Sequence, residues 1–565
     1  MKFKNLLVMA AAMAIVATSC NKKLAPLSAD NFSSSPNPLE LVGKKVPATI
    51  TASIPPKYFQ KNAELTITPE LIYEGVCDSS EPMTLQGEKV LGNNTVINYE
   101  NGGVVTIPAS FDYDYFMRRS RLRLSFAVKQ GNKQYALPPV NVGEGLVSTA
   151  AYADAGTVTP AIGADRFQRI INEKYNAQIR FLINQAKVRK GETESKEMAD
   201  FNAEILRASR DSSRQIEGIN ISSYASPEGN LDFNTRLAEN REKSTSEYLR
   251  GQLRKDNVTE FGELTADFTA EDWEGFQQMV AASDIQDKDL ILSVLSMYKD
   301  PEIREREIRN LSSVFDQLAD KILPQLRRSR ITASVNVIGK SDDQIRALFI
   351  SDPSKLSVDE LLYCATLTDS PAERLEVYRK TAELYPDDYR AINNVGACLY
   401  EQRDYDAAEA AFKKAEAVKA SPESAMNLGL VELVRGNYSA ANQRLGEAAG
   451  AEGVGDALGV YFLTQGDYLS AAHAFGDSKS NNAALAQILT KDYSKATKTL
   501  NAVAKPDAIT SYLKAVVAAR TNNDAEVLSN LKQAVLLDSK LRYDAVSDIE
   551  FVRYLPEIQN TFTRE

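Results

Sequence analysis

Residues 219–253, INISSYASPEGNLDFNTRLAENREKSTSEYLRGQL, decide how the middle of the chain is read. The β-branched Ile219 and Ile221 begin a short strand pattern. It stops at Tyr224-Ala225-Ser226-Pro227-Glu228-Gly229, because Pro and Gly do not continue a paired strand. Asn234 is expected to open an amphipathic helix whose apolar stripe is Leu237, Tyr248, Leu249 and Leu253. At about 100° of rotation per residue, Arg241 falls on that stripe, between Leu237 and Tyr248. A guanidinium there must be paired, must snorkel to water, or must face a ligand that wants a cation.

Outward from this stretch, Asn176–Val188 reads as a strand and Ser195–Ser209 as a helix with Met198, Phe201, Ile205 and Leu206 on one face. A further strand is expected near Thr265–Phe268, and Ile331–Ile338 alternates cleanly as a last one. The string N-x-x-L-x-x-x-R-(x6)-Y-L after a strand and a small-residue turn, within the order β-α-β-α-β…β, resembles the OmpA-like peptidoglycan-associating domain. The resemblance covers residues 175–340 and departs from the family by a helical insertion at 272–328, where Ile308, Leu311, Phe315, Leu318 and Ile322 keep helical spacing. It implies a periplasmic α/β module that binds the diaminopimelate stem of peptidoglycan through an Asp in the turn and an Arg on the helix. Arg241 matches the Arg, whereas Ser226 stands where the family has Asp. The implied peptidoglycan site is Arg241, Ser226, Glu228 (as substitute carboxylate) and Asn234. Two readings stay open: contact with a peptidoglycan carboxylate, or a retained docking fold in which Arg241 is a structural ion pair.

The chain begins with a targeting pattern over residues 1–19. Lys2 and Lys4 precede the apolar Leu6–Val16, and Ala17-Thr18-Ser19 lead to Cys20. That ending resembles a lipobox, which implies a lipidated Cys20 holding the protein to the outer membrane. Asn21-Lys22-Lys23 lacks an acidic cluster, so the periplasmic face is expected. Residues 20–41 read as a Ser/Pro/Asn-rich tether and 42–142 as an antiparallel β-sandwich, with Tyr113, Tyr115 and Phe116 expected in its core in preference to a binding surface. Residues 143–174 read as a linker, rich in Gly, Ala and Thr over 143–165.

Residues 341–565 repeat themselves. Tyr405-x-x-Ala408-x-x-x-Phe412 recurs as Tyr438, Ala441, Leu445, then Tyr468, Ala471, Phe475, then Tyr493, Ala496, Leu500. Gly396, Gly429 and Gly459 precede the first three copies. Small residues let paired helices approach closely, and the aromatic or Leu fills the next groove. The pattern resembles tetratricopeptide repeats, which implies an all-α solenoid that binds proteins. Cys364 and Cys398, 34 residues apart, are expected to be reduced core residues at equivalent repeat positions.

Composition narrows the function. With 66 basic and 76 acidic residues among 565, the chain carries a net charge of −10 and has no basic run, which argues against nucleic acid as a partner. A single histidine, His473, and four cysteines without metal spacing argue against a zinc site or a His-dependent triad, and no cofactor is expected. The sequence therefore reads as a multidomain, non-catalytic, periplasm-facing outer-membrane lipoprotein. It would scaffold the cell envelope through possible peptidoglycan contact and through envelope proteins held by the repeats. The alternative is an accessory or assembly factor of a secretion or surface-fibre complex, with the OmpA-like domain only a docking module.

Overall fold

The computed structural model describes residues 23–285, 288–310 and 312–562, so the stretch expected to be a leader, Cys20 expected to be lipidated, and Leu311 lie outside the described residues. The chain forms two compact units: residues 165–369 make one, and the chain up to Ala164 joins Ser370 onward to make the other.

In the unit built from both chain ends, strands alternate inward and outward as their period-two sequence dictates. β1 (Phe32–Ser35), β2 (Leu39–Glu40), β3 (Lys45–Ile54), β4 (Ala63–Tyr73), β5 (Val76–Ser79), β6 (Met83–Gly87), β7 (Thr95–Ile97), β8 (Gly103–Asp112), β9 (Arg121–Gln130), β10 (Lys133–Glu144) and β11 (Leu146–Val147) follow in order. They form a sheet β1-β3-β8, a sheet β10-β9-β4-β6-β7 with β5 on β4, and the pair β11-β2. Ile50, Leu65, Ile67, Ile107, Leu124 and Phe126 sit in one core. The pairing is not purely antiparallel as expected: β6–β7 and β11–β2 run parallel.

The repeats are helix pairs: Tyr389–Glu401 with Tyr405–Val418, Pro422–Arg435 with Tyr438–Gly446, Val454–Gln465 with Tyr468–Phe475, Asn481–Leu489 with Tyr493–Asn501, and Ala508–Arg520 with Asp524–Leu537. Asp404, Asp467 and Asp492 cap second helices through their side chains. The glycines are required by close approach. A Cβ at Gly396 would lie 2.6 Å from the Phe412 ring, one at Gly429 2.9 Å from Leu445, and one at Gly459 2.6 Å from Phe475. The C-terminal region is thus a solenoid of tetratricopeptide-like helical repeats.

The β-region and the solenoid share this unit. Tyr468 and Leu489 of the repeats pack against the β-region core, and the Tyr468 hydroxyl donates to Leu41 O at 2.8 Å. Of the aromatic patch expected in the core, Tyr113 packs against it, whereas Tyr115 and Phe116 form a joint. Tyr115 stacks on Tyr543 at 5.6 Å, and its hydroxyl donates to Asp544, which is also ion-paired with the buried Arg118. Tyr115 and Phe116 stay partly exposed because the sequence places them in a 3-10 turn, Tyr115–Arg119, after β8 rather than within a strand.

The unit 165–369 holds β12 (Ile170–Arg180), β13 (Arg214–Tyr224), β14 (Glu263–Thr269) and β15 (Arg328–Ile338) in the order β12-β15-β13-β14. β13 and β14 are parallel and joined through a helix, as a parallel pair requires; the other pairs are antiparallel. Helices Lys196–Arg210 and Leu231–Lys255 bury Phe201, Ile205, Leu249 and Leu253 against Ile179, Ile219, Ile221, Ile331 and Val335. The first strand lies earlier than Asn176–Val188. It pairs residue for residue with β15, which sets its length, and the apolar Leu182 and Ile183 beyond it are exposed in a loop. The insertion builds its own small core from Phe276, Val280, Ile291, Leu295, Leu318 and Ile322. Helices Asp342–Ser351 and Val358–Cys364 also fall in this unit, past the boundary at 340 read from sequence. Cys364 and Cys398 are therefore in different units; both are free and buried.

Candidate functional site

The residues expected at a peptidoglycan site converge on the turn after β13. The helix begins three residues before Asn234. Asn230, with extended φ and ψ, is the N-cap and accepts from Asp232 N–H at 2.9 Å. Asn234 lies inside the first turn, buried, and its amide donates to Ser226 O and Gly229 O, both at 3.3 Å. It holds the turn onto the helix.

Arg241 is on the buried stripe, as its spacing demands, together with Asn234, Ala238, Thr245, Leu249 and Leu253. It is only 1% exposed. Its guanidinium donates to Tyr224 O at 2.8 Å, Gln185 O at 3.1 Å and Leu182 O at 3.4 Å, and lies 5.1 Å from the Phe181 ring centre. Burial first, and the nearby Arg327 second, bring its pKa down to about 10, so it remains a cation at neutral pH. Glu228 is engaged elsewhere: Arg327 Nη2 is 2.6 Å from its carboxylate and the Ser226 hydroxyl donates to it at 2.8 Å. The four residues meet at one turn, but their polar groups are spent on holding β13, the 182–185 loop and the helix together.

A second constellation was not anticipated. Residues 149–164, read as linker, continue from β11 through 3-10 turns at Thr149–Tyr152 and Ala155–Thr157 and then run extended across the first helices of the repeats. Three asparagines each clasp one residue of this strap by both backbone groups. Asn482 takes Asp154 N–H at 3.0 Å and donates to its carbonyl at 2.9 Å. Asn427 does the same to Ala161, at 2.7 Å both ways, and Asn394 to Gly163, at 2.7 and 3.0 Å. The paired donor and acceptor fix each amide's orientation. Asn393 adds a second donor to Ala161 O at 2.9 Å, the Tyr400 hydroxyl donates to Ala155 O at 2.7 Å, and Arg390 donates to Ala164 O at 3.1 Å.

The strap's own sequence suits this path. Val158, Pro160, Ala161 and Gly163 are buried, while Thr157, Thr159, Ile162 and Ala164 face outward. A Cβ at Gly163 would lie 2.6 Å from Arg390 Cβ and 2.8 Å from its Cα, so only glycine seats there. The clasping asparagines do carry a sequence signal. Asn394, Asn427 and Asn482 each stand two residues before a small residue (Gly396, Gly429, Ala484) that lies nine before the repeat tyrosine. The third repeat has Ala457 in that place. A reading that followed only apolar and small positions passes over them. His473 is exposed, on a second helix.

No protein-family model matches the chain, and no curated protein matches it. Among solved structures, a tetratricopeptide repeat protein from Parabacteroides merdae ATCC 43184 is 12% identical, with 45% of this chain and 98% of that chain covered and a TM-score of 0.28. Pseudomonas aeruginosa pilF is 17% identical over 39% of this chain and 100% of its own, with a TM-score of 0.28. The APC/C hetero-tetramer Cut9–Hcn1 is 13% identical over 58% and 67%, with a TM-score of 0.30. At these scores the likeness adds nothing to what the repeat geometry itself displays.

Proposed function

We propose that the protein is a non-catalytic scaffold of the cell envelope, anchored through a lipidated Cys20 to the periplasmic face of the outer membrane, that holds other envelope proteins through its repeat solenoid. The observation that carries the protein-binding part is the row of buried asparagines, which grips an extended chain by its backbone. The leader pattern and Cys20 carry the anchoring part. We read the 175–340 region as an OmpA-like module kept for docking. A stem-peptide carboxylate would need Arg241 to give up three carbonyls and emerge from a site where it is 1% exposed. Its companion anion, Glu228, is already neutralised by Arg327. This reading leaves the partner an envelope protein, whether of a structural assembly or of a secretion or surface-fibre complex.

The test is crosslinking in intact cells followed by affinity isolation from detergent-solubilised envelope, with peptidoglycan sedimentation alongside. Envelope proteins should be captured, and purified protein should not sediment with peptidoglycan. Cys20→Ala should shift the protein to the soluble fraction. Saturable sedimentation with peptidoglycan, lost on Arg241→Ala, would replace docking by cell-wall binding.

A further inference from the structure

We infer that residues 154–164 are a resident pseudo-ligand, and that the asparagine row beneath them is a binding site for an extended segment of a partner protein, neutral beyond its first clasped residue, which enters only when the strap leaves. The inference rests on the solenoid's being a protein-binding surface and states how that surface is regulated.

The chemistry of the site is legible from its occupant. Nearly every polar contact is to strap backbone, so the site reads an extended main chain rather than particular side chains. From Ala155 to Ala164 the strap carries no charge and faces neutral amides, while at the first clasped position Asp154 pairs with Arg403 at 3.4 Å. Arg390, the one cation that bonds the uncharged stretch among the described residues, is already paired with Asp388 at 2.7 Å. Two steric limits remain: a small residue at the Ala161 position and glycine at the Gly163 position. A partner segment of the form small-x-Gly, neutral and extended, meets all of these. Ile162, between the two, is 44% exposed and imposes no restriction.

The same geometry argues that the strap can leave. Its side chains are small, so it buries little apolar area per residue compared with the helices beneath it. It is held mainly by neutral hydrogen bonds, each contributing modestly because water replaces them on release. What keeps it seated is covalent connection, which supplies an effective concentration in the millimolar range for a short tether. The strap ends at Ala164, where the unit 165–369 begins, so the last clasp, on Gly163, stands next to the boundary of the two units.

The experiment uses the full chain and, as probe, a fluorescein-labelled peptide of residues 152–166, YADAGTVTPAIGADR. Gly163→Val cannot seat against Arg390 and should vacate the groove. That variant should bind the peptide about a hundredfold more tightly than the wild type, whose own strap competes in cis. Adding Asn427→Ala should remove the binding. Hydrogen exchange on the wild type gives an independent reading. The amides of Asp154, Ala161 and Gly163 should exchange about a hundredfold faster than the core amides of helix Pro422–Arg435, through local opening. Equal affinity of variant and wild type, or strap amides that exchange no faster than those of the helix, would make the strap a permanent part of the fold and overturn the inference. Capture of envelope proteins by crosslinking would survive that outcome, so the two readings fail separately.

Discussion

Arg241→Met replaces a guanidinium by a thioether of similar length and removes the side-chain donor from the carbonyls of Gln185 and Tyr224, while Leu182 O keeps the Gln185 N–H at 3.1 Å. Each buried acceptor left unsatisfied costs about 1–3 kcal/mol. Part of this is offset, because burial opposes the charge, as the pKa lowered to about 10 indicates. The 3.4 Å bond to Leu182 is also the weakest of the three. A net loss of about 2–4 kcal/mol follows. For a domain of this size that is a fall in melting temperature of roughly 4–15 °C. The chain's single tryptophan, Trp273, lies in the unit 165–369, so its fluorescence follows the unfolding of that unit. Arg241→Lys should fall between the two, since one ammonium on a thinner stem does not span three divergent carbonyls. If Arg241→Met unfolds within about 0.5 kcal/mol of the wild type in urea, the guanidinium does not hold the turn, and its three carbonyl bonds carry no net stability.

Three further outcomes follow from particular positions. Gly396→Ala should destabilise the solenoid by about 1–2 kcal/mol, because overpacking against the fully buried Phe412 exceeds the helix-propensity gain of about 1 kcal/mol. Gly251→Ala, on the exposed side of helix Leu231–Lys255 with nothing within 4 Å of the new Cβ, should stabilise its unit; circular dichroism melts of both variants check the opposite signs. Asp548 is buried under Tyr512, and burial, with Glu550 second, raises its pKa to about 6 from 3.8. Between these values the folded chain keeps a proton that the unfolded chain has released, so stability falls as pH rises across that window, by up to about 3 kcal/mol from this residue. Asp548→Asn should remove that part of the slope in urea midpoints measured at pH 4 and pH 6.5; parallel slopes for variant and wild type would refute it.

What the sequence discloses follows from which interactions are periodic. The repeats are legible because Tyr, Ala and Gly recur at fixed offsets, and each offset corresponds to one helix-packing contact. Arg241 is legible as a buried cation because helix periodicity alone puts it on the stripe. What it bonds is not, since Leu182 and Gln185 approach from a loop some sixty residues earlier. The helix start is misplaced because Asn230 and Asn234 are both capable caps, and only backbone angles choose between them. The strap is the instructive miss. A run of Ala, Gly, Thr and Pro is the composition of a free linker and also of a chain thin enough to lie in a crowded groove. The difference lies in the asparagines some 230 to 330 residues away.

A fold assembled from both chain ends also has a timetable. Ala164 is made long before Asn482, with about 320 residues between them, so at about 5–20 residues per second the strap waits roughly 15–60 s for its last partner. Until Asn394 and Asn427 are made its clasped groups have no asparagine to pair with, and a stretch of large β-branched residues would invite association with neighbouring chains. The Ala, Gly, Thr and Pro that fit the groove also keep the waiting strap innocuous. The intervening residues 165–369 carry a sheet and cores of their own, so they are free to fold while the two halves of the other unit are still apart.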